Sequence, residues 1–281
     1  LSVIITTYNS EDWLRKVLIG YSVQTETDFE LVIADDGSTI KTKQVIESFS
    51  SKFKYPILHV WQEDNGFRKS EILNKAILKA NADYLLFTDG DCIPRNDFVT
   101  THLKHQQKGY FLSGGYFKLP LSLSNLISEE DINNQNCFSI KWLVNNGLKA
   151  DFKVSKLTKN TYFASFMNWI TTTKKTFNGH NSSVFKEDLL DINGFNQNMH
   201  YGGLDREVGE RLFNLGILAK QIRYEAICLH LHHERGYADA QKIARAFRHL
   251  KQVCTPENDL FSQIQEKEKK IKLTREETIE Y

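Results

Sequence analysis

Several features are missing from this sequence of 281 residues, and each absence narrows the classes of protein to consider. No run of 18 apolar residues occurs, so no segment is predicted to span a membrane. The charges nearly cancel, with 36 Lys and Arg against 35 Asp and Glu, whereas a dedicated nucleic-acid binder usually has a basic excess. The four cysteines show no CxxC spacing, which indicates packing thiols in a reducing compartment. Internal repeats and low-complexity linkers are also missing.

The length suits one large domain, or one domain with a small appendage. The first residues, LSVIITTYN, are strand-like and lack the basic and then apolar pattern of a signal peptide. We therefore expect no signal peptide.

Strand-like and helix-like segments alternate through the first third of the chain. The strand-like segments are SVIITT, FELVIADDGS, YPILHVWQ and DYLLFTDGD, and the helix-like segments between them repeat apolar residues at helical spacing. This order predicts an α/β fold with a mostly parallel central sheet covered by helices on both faces.

Polar clusters follow three of these strands. They are TTYN after the first strand, DDGS after the second and DGD after the fourth. Because ligands of open α/β sheets bind beyond the carboxyl ends of the strands, we expect the three clusters to converge on one site.

The later part of the chain has three recognisable features. A helix is predicted from Arg206 to Leu215, ending at Gly216. The segment AICLHLHHERGY is predicted to be a strand that runs into three histidines, and the last 40 or so residues are predicted to form two helices. The segment between Phe111 and Thr176 shows no dominant period.

The segment DGD is the first candidate site. Asp89 and Asp91 alternate on an extended segment, so both carboxylates can address one ligand, and hard divalent cations prefer such oxygens. Gly90 would let the backbone come close to a nucleotide. The alternative is an ordinary acidic turn.

A second group of candidates lies at the neighbouring strand ends. Asp35 and Asp36 suit either a turn or a nucleobase contact, and the preceding strand ends in the hydroxyls, ring and amide of Thr6, Thr7, Tyr8 and Asn9. Arg68 and Lys69 begin a predicted helix, where cations oppose the helix dipole. A bound diphosphate would offset that cost, and solvated surface charge is the alternative.

The third group comes from the later segment HYGGLDREVGERL and the histidines. Asp205 is expected at the N-cap position of its helix, yet an aspartate held there also suits a general base. Gly202 and Gly203 would let a substrate approach closely. Three histidines within four positions, His230, His232 and His233, indicate a metal or phosphate site.

Together these segments resemble the inverting glycosyltransferases of family 2, which have the GT-A fold. The resemblance covers roughly residues 1–237, and VIITTYN, ADDGS, GFRKSEILNKAI, YLLFTDGDCIP and NGFNQNMHYGGLDREVGERL occur in the order and spacing of the family. The later segment is similar to the galactosyltransferase-type C-terminal region of chondroitin-polymerase-like enzymes. It departs from that region at Leu204, where Glu is common, whereas Asp205 still matches the position of the base.

The resemblance implies a role for each matched residue. Asp205 matches the catalytic base, with Glu207 as the next candidate, and Gly202 and Gly203 fall on the acceptor side. The implied metal ligands are Asp91 and His233, with Asp89 and the fallback His230. The implied nucleotide-sugar contacts are Thr6, Tyr8, Asn9, Asp36, Arg68, Asp89 and Asn181.

The resemblance also implies an activity and a setting. The activity is Mn²⁺- or Mg²⁺-dependent transfer of a sugar, with inversion, from a nucleotide-sugar that is most simply UDP-linked. The acceptor would be a glycan or glycolipid, in the synthesis of bacterial surface polysaccharide or lipopolysaccharide. The setting would be the cytoplasm, with peripheral association at the inner face of the membrane as an option. A GT-A domain is expected over residues 1–237, with a nucleotide-binding half at 1–110, an acceptor half at 111–237 and a helical extension at 238–281.

Three other classes of protein fit these residues less well. A sugar-nucleotide pyrophosphorylase needs a glycine-rich loop after the first strand, and TTYNSEDW has no glycine. An aspartate-nucleophile phosphatase has its DxD after the first strand, and here DGD follows the fourth. An inactive carbohydrate-binding relative would have no reason to keep Asp91, Asp205 and a late histidine.

Overall fold

The computed structural model describes residues 1–199 and 203–233. Strands and helices alternate as predicted in the first third of the chain. The strands are β1 (Ser2–Thr7), β2 (Glu30–Asp35), β3 (Leu58–Trp61), β4 (Tyr84–Asp89), β5 (Cys92–Pro94), β6 (Tyr110–Ser113), β7 (Gly115–Lys118), β8 (Ser182–Phe185), β9 (Leu218–Gln221) and β10 (Ile227–His230). The α-helices are α1 (Glu11–Ser22), α2 (Ile40–Ser48), α3 (Lys69–Lys79), α4 (Phe98–His105), α5 (Leu121–Leu126), α6 (Glu129–Asn133), α7 (Ile140–Asn145), α8 (Thr161–Ile170), α9 (Lys186–Asp191) and α10 (Leu204–Asn214), with 3₁₀ turns at Ser50–Lys52, Asn136–Phe138 and Phe152–Leu157.

The central sheet has seven strands in the order β3-β2-β1-β4-β8-β6-β9. Strands β3, β2, β1 and β4 run parallel to one another, and β6 is parallel to β9. Strand β8 is antiparallel to both β4 and β6. The predicted α/β class with a mostly parallel sheet is therefore confirmed.

Side chains of β1 alternate between two apolar cores, one on each face of the sheet. Val3 and Ile5 pack in the core that includes residues of α1, α2 and α4. Ile4 packs in the core that includes residues of α3 and α10. Because both faces of β1 are covered, its sequence is a continuous apolar run rather than an alternating one.

A smaller sheet of three strands, β5-β10-β7, lies after the acidic end of β4. Strand β10 runs antiparallel to β5 and parallel to β7, and His230 pairs in register with Cys92 on one side and Lys118 on the other. This sheet brings a strand from near the end of the described chain beside the residues that follow Asp89.

Residues 121–133 form two short helices, α5 and α6, and Ser128 caps α6 in a capping box with Asp131. The structure differs from the sequence prediction at the start of α10. Helix α10 has Gly203 at its N-cap, with φ of +81°. Asp205 is therefore the second residue of the helix, and the predicted capping role is wrong.

The predicted helical extension over 238–281 lies outside the described residues, and the domain boundaries stay a prediction. No helix within 1–199 and 203–233 is long and apolar enough to cross a bilayer.

Candidate active site

The carboxyl ends of β1, β2 and β4 lie side by side, as the polar clusters predicted. Thr6 of β1 pairs in register with Asp89 of β4, and the Thr6 hydroxyl donates a hydrogen bond of 2.8 Å to Asp89 Oδ1. On the other side, Asp36 follows β2, and its backbone N–H donates to the carbonyl of Thr7. The three polar clusters therefore form one continuous edge.

Lys69 extends from the first turn of α3 to this edge. Its Nζ lies 2.7 Å from Asp89 Oδ1. Burial opposes the charged form of Lys69, but the carboxylates of Asp89, Asp205 and Asp91 raise its pKa. For Asp89, burial likewise opposes ionisation, and the Lys69 ammonium lowers the pKa. The cation that opposes the dipole of α3 is thus stabilised by a carboxylate of the protein itself.

Tyr8 and Asp36 form one end of the edge. The Tyr8 side chain is 51% exposed, and its hydroxyl donates to Asp64 Oδ2 at 2.9 Å, so a ring face is open to a ligand. Asp36 is buried and accepts hydrogen bonds from Gln62 Nε2 at 2.6 Å and from the backbone N–H of Arg68 at 2.9 Å. Burial raises the pKa of Asp36 in spite of these donors.

Asn9 and Arg68 make contacts that shape the loops around this end. Asn9 has a φ of +43°; its Oδ1 accepts from the N–H of Thr39, and its own N–H donates to Ser38 Oγ. The Arg68 side chain turns to its own helix and pairs with Glu71 at 3.1 Å. Both residues lie where the sequence predicted, and their described contacts are internal to the protein.

Asp91 and two late histidines meet at the other end of the edge. Asp91 Oδ2 lies 3.3 Å from His233 Nε2, and the rings of His230 and His233 stack at 5.3 Å. Ligand atoms of Asp91, Cys92 and His230 lie within 4.8 Å of one another. Two positions far apart in the chain, 91 and 230–233, therefore form one cluster.

The chemistry of this cluster fits a divalent metal ion. One carboxylate and two imidazoles are available, and His230 Nδ1 lies 2.9 Å from the Leu231 carbonyl. A proton on that nitrogen would leave Nε2 as the ligand atom. Burial raises the pKa of the Cys92 thiol well above its usual value. The thiol donates a hydrogen bond to Asp91 Oδ1, with the sulfur 3.4 Å from the oxygen. Cys92 is therefore a neighbour of the cluster rather than a thiolate ligand.

Asp205 lies near Lys69, because its carboxylate is one of the charges that raise the pKa of that ammonium. Its Oδ1 is buried and has no hydrogen-bond partner in the described part of the chain. Burial raises the pKa of Asp205, Lys69 lowers it, and a hydrogen bond from the Gly179 N–H also lowers it. An unpaired carboxylate oxygen beside charged groups is costly to bury, and it is available to accept a proton.

The structure also places the other candidates near Asp205, namely Glu207 as a base and the two glycines as acceptor contacts. Glu207, the next candidate for the base, is 1% exposed and forms a two-point ion pair with Arg211 at 2.8 and 2.7 Å. It pairs with the Arg211 side chain, which donates to the carbonyls of Ile192 and Gly194, and it is not open to a substrate. Gly203 has the left-handed backbone conformation that favours glycine, which explains the residue without a ligand. Gly202 lies outside the described residues.

The side chain of Asn181 forms hydrogen bonds within the protein, and its contact with the donor sugar stays a prediction. The residue has no solvent exposure. Its Nδ2 donates to the carbonyls of Gly115 and Ala226 at 2.7 and 3.0 Å, and its Oδ1 lies 2.9 Å from His102 Nε2. A Cβ on Gly114 would be 2.0 Å from Asn181 Oδ1, so the glycine is needed for this packing.

Gly90 also has a structural explanation that differs from the prediction. Its N–H donates to the Thr6 carbonyl at 2.7 Å, and a Cβ would lie 2.8 Å from that oxygen. The close approach that requires glycine is to strand β1 of the protein. The prediction of close approach to a nucleotide is not needed to account for this residue.

Sequence reasoning missed three residues at the site. His180 lies with its ring 4.6 Å from that of Tyr116; its Nε2 is buried and unpaired among the described residues, and burial lowers its pKa to about 3. Gln62 and Asp64 reach Asp36 and Tyr8 from the loop after β3. None of the three stands in a spacing that marks a site, because each is positioned by the fold of a loop.

Comparison with known proteins shows what the first part of the chain is similar to. Residues 2–120 match the sequence model of the family described as Glycosyl transferase family 2. This part of the chain is therefore similar to family 2 glycosyltransferases, as the resemblance indicated. This argues against the pyrophosphorylase and phosphatase alternatives.

Two curated relatives extend the similarity beyond residue 120. The chain is 26% identical over 266 residues to the uncharacterized glycosyltransferase YfnE of Bacillus subtilis, covering 83% of this chain and 64% of that protein. It is 27% identical over 241 residues to chondroitin synthase of Escherichia coli, covering 79% of this chain and 33% of that protein. The chain thus spans less than two thirds of the length of each.

Solved structures share the GT-A fold. TarS of S. aureus, residues 1–349 with UDP-GlcNAc, has a TM-score of 0.61 at 17% identity, covering 90% of this chain and 65% of that one. Glucosyl-3-phosphoglycerate synthase of Mycobacterium tuberculosis, with Mn²⁺, UDP-glucose and phosphoglyceric acid, has a TM-score of 0.54 at 17% identity, covering 92% and 80%.

Proposed function

We propose that this protein transfers a sugar from a UDP-linked donor to a glycan or glycolipid hydroxyl, with inversion and with a divalent metal ion. The observation that carries the proposal is the position of Asp205. Its carboxylate has a buried oxygen without a hydrogen-bond partner among the described residues, and it shares the charge of Lys69 with Asp89 and Asp91. A base, an acidic strand end and a metal-binding cluster therefore surround one site.

The nucleotide would bind across the ends of β1 and β2. In this proposal the exposed ring of Tyr8 stacks on the base, and the Asp36 carboxylate accepts an N–H from it. Thr6, Asn9, Arg68 and Asp89 would line the ribose and the diphosphate path. The UDP-sugars in the complexes of TarS and glucosyl-3-phosphoglycerate synthase support uridine as the first choice.

Asp91 and His233 would hold the metal ion, with His230 as the further imidazole and Asp89 close by. The bound ion would supply positive charge to stabilise the leaving diphosphate. Imidazole nitrogen suits transition metals, whereas Mg²⁺ prefers oxygen ligands alone. The donor set of this cluster therefore favours Mn²⁺ over Mg²⁺, and the Mn²⁺ in the mycobacterial enzyme complex supports that choice.

Asp205 would act on the acceptor. An acceptor hydroxyl next to Oδ1 gives up its proton to the carboxylate as its oxygen attacks the sugar carbon. Attack from the side opposite the leaving diphosphate inverts the anomeric centre. The raised pKa of Asp205, caused by burial, makes it a stronger base than an exposed aspartate.

Peripheral membrane association completes the proposal. Helix α8 exposes Tyr162, Phe166 and Trp169, with 88%, 52% and 80% of each residue accessible. Exposed lysines flank the helix at 159 and 174. Aromatic rings between cations suit the surface of an anionic bilayer, where a lipid-linked acceptor would be found.

Calorimetric titration with UDP, in the presence and absence of Mn²⁺, tests the function. Wild-type protein should bind UDP more tightly with Mn²⁺, and Asp91→Asn should lose that difference. Asp97→Asn, a carboxylate that pairs with Arg95 instead, is the matched control and should keep it. Unchanged Mn²⁺-dependent affinity in Asp91→Asn would contradict the assignment of Asp91, and tighter binding of GDP or CMP would contradict the choice of UDP. Binding without any transfer or donor hydrolysis would favour the inactive relative.

A further inference from the structure

A basic groove of about 500 Å³ lies beside the candidate metal cluster. Four lysines line it, Lys118, Lys149, Lys153 and Lys156. The acid in its lining is Asp151, which is exposed and lies 3.7 Å from Lys153. Exposed pairs of this kind contribute little, so the positive charge of the groove is largely uncompensated within residues 1–199 and 203–233.

Lys156 carries a positive charge that its neighbours in the groove do not neutralise. It is half-buried, and its Nζ has the Tyr116 carbonyl at 3.4 Å and the Tyr116 ring centre at 5.7 Å. Neither contact neutralises the ammonium. Burial lowers the pKa of Lys156, and the positive charges of Arg223 and Lys153 lower it further. A bound anion would remove this repulsion.

The groove is continuous with the site. Tyr116, in its lining, has its ring 4.6 Å from His180 and 5.4 Å from His230. Lys118 pairs in register with His230 across β7 and β10, and His232 lines the groove next to His233. The groove and the metal cluster are therefore in contact through the Tyr116 ring, which lines the groove and lies against His230.

The groove is separate from the positions proposed to bind the nucleotide of the donor. The nucleotide positions lie at the ends of β1 and β2, on one side of β4 in the central sheet. The groove is built on β7, at an edge of the small sheet, and its lining contains none of the proposed nucleotide contacts. A ligand in the groove would thus leave the nucleotide positions free.

We propose that this groove binds an anionic group of the acceptor, a carboxylate or a phosphate near the hydroxyl that receives the sugar. The inference rests on the glycosyltransferase function proposed above. The apolar part of the lining, including Leu119 and Leu148, would contact the carbon skeleton while the lysines pair with the charge. The acceptor would therefore be an acidic glycan or a phosphate-containing chain rather than a neutral one.

The test is a binding titration with three probes of similar length, in the presence of UDP and Mn²⁺. The probes are a tetrasaccharide containing uronic acid, a glycerol-phosphate tetramer and neutral cellotetraose. At least one acidic probe should bind more tightly than cellotetraose, and its affinity should fall as salt is added, because salt screens the charge. Which acidic probe binds distinguishes a carboxylate from a phosphate.

Two variants localise the binding. Lys149→Gln/Lys153→Gln/Lys156→Gln should bind the acidic probe about tenfold more weakly or worse, since three ion pairs are lost, while its affinity for UDP is unchanged. Lys149→Gln/Lys153→Gln leaves the half-buried Lys156 in place and should show a smaller loss. The control Lys41→Gln/Lys43→Gln/Lys79→Gln removes the same charge from exposed positions on α2 and α3 and should bind like wild type.

Two results separate this proposal from the proposed function. If UDP binds with Mn²⁺ but acidic probes bind no better than cellotetraose, or the control loses as much affinity as the groove variant, the groove proposal alone is overturned. If wild-type protein does not bind UDP with Mn²⁺, the proposed function fails, whatever the probes do.

Discussion

The backbone of Gly179 lies against the carboxyl group of Asp205. A Cβ on Gly179 would be 2.8 Å from Asp205 Oδ1 and 3.0 Å from Oδ2, and the Gly179 N–H donates to the same carboxylate. The position of the proposed base therefore depends on a glycine that is distant from it in the sequence.

Gly179→Ala should lower the transfer rate selectively. The new methyl group would displace the Asp205 carboxylate, and misplacement of a reacting group by about 1 Å costs on the order of 10²-fold. Affinity for UDP should stay at the wild-type value, because the nucleotide positions lie elsewhere. The transfer rate to an acceptor found by screening checks the first expectation, and a titration with UDP checks the second.

Gly209→Ala is the matched control for that variant. Its Cβ would lie 3.0 Å from Phe177 Cβ, so it crowds the core without touching Asp205. It should lower the melting temperature and keep the rate per folded molecule. Equal rate losses in the two variants would show that crowding alone, rather than displacement of Asp205, slows the reaction.

Asp205→Asn should remove the proton acceptor and keep the fold. Loss of a positioned base costs about 10²–10⁴ in rate. The melting temperature should change little, because Gly203 occupies the N-cap of α10 and Asp205 does not cap it. Glu207 offers no replacement because it is paired with Arg211. A wild-type transfer rate in Asp205→Asn would show that the base lies elsewhere.

The same group predicts the pH dependence of the wild-type rate. A base works in its ionised form, so the rate should fall as pH drops through the pKa of Asp205. Since burial raises that pKa, the fall should begin at a higher pH than for an exposed aspartate. A pH profile of kcat/KM measured at saturating metal checks this, and a flat profile down to the usual range of an aspartate would contradict it.

His102 should make the fold sensitive to acid. It is fully buried between Ser183 and Asn181, and burial lowers its pKa to about 3. Below about pH 6.5 the unfolded chain binds a proton that the folded chain does not. The stability contributed by neutral His102 is therefore complete above about pH 6.5 and is lost as pH falls from there towards 3, with a slope up to about 1.4 kcal/mol per pH unit.

Denaturant unfolding at a series of pH values measures that slope. His102→Gln keeps a donor and an acceptor but does not titrate, so it should be less stable at neutral pH and less sensitive to acid than wild type. A variant with the wild-type slope would show that other groups carry the acid sensitivity.

Phe166→Ser/Trp169→Ser should weaken binding to vesicles that contain phosphatidylglycerol. Two aromatic rings would no longer enter the interface, which we expect to cost about tenfold in partitioning. Leu78→Ser, on the exposed side of α3, is the control and should sediment with vesicles like wild type. Equal sedimentation of all three proteins would exclude α8 as the contact surface.

Local sequence patterns were sufficient to predict the parallel strands of the sheet and the polar edge of the site at their carboxyl ends. Continuous apolar runs that end in TTYN, DDGS and DGD mark parallel strands with polar carboxyl ends. The contact between Thr6 and Asp89 is a consequence of that strand order, because parallel neighbours bring their carboxyl ends to one edge. The two motifs are 83 residues apart, yet their meeting needed no more than the fold class.

Other assignments required the folded chain, because they depend on which side chain takes up each hydrogen bond. Asn181 and His180 are neighbours in the sequence, and the sequence alone does not separate their roles. Packing buries Asn181 among carbonyls, while His180 has a nitrogen without a partner in the part of the chain that the structure describes. The N-cap of α10 is Gly203 rather than the predicted Asp205, because the position of the cap depends on a backbone angle that the sequence pattern does not show. The basic groove unites Lys118 with lysines more than 30 positions away, through the path of a segment that has no dominant period. Residue type and spacing thus determined the class of this protein and its acidic edge, whereas long-range packing alone decided which carboxylate stays unpaired and where the positive charges gather.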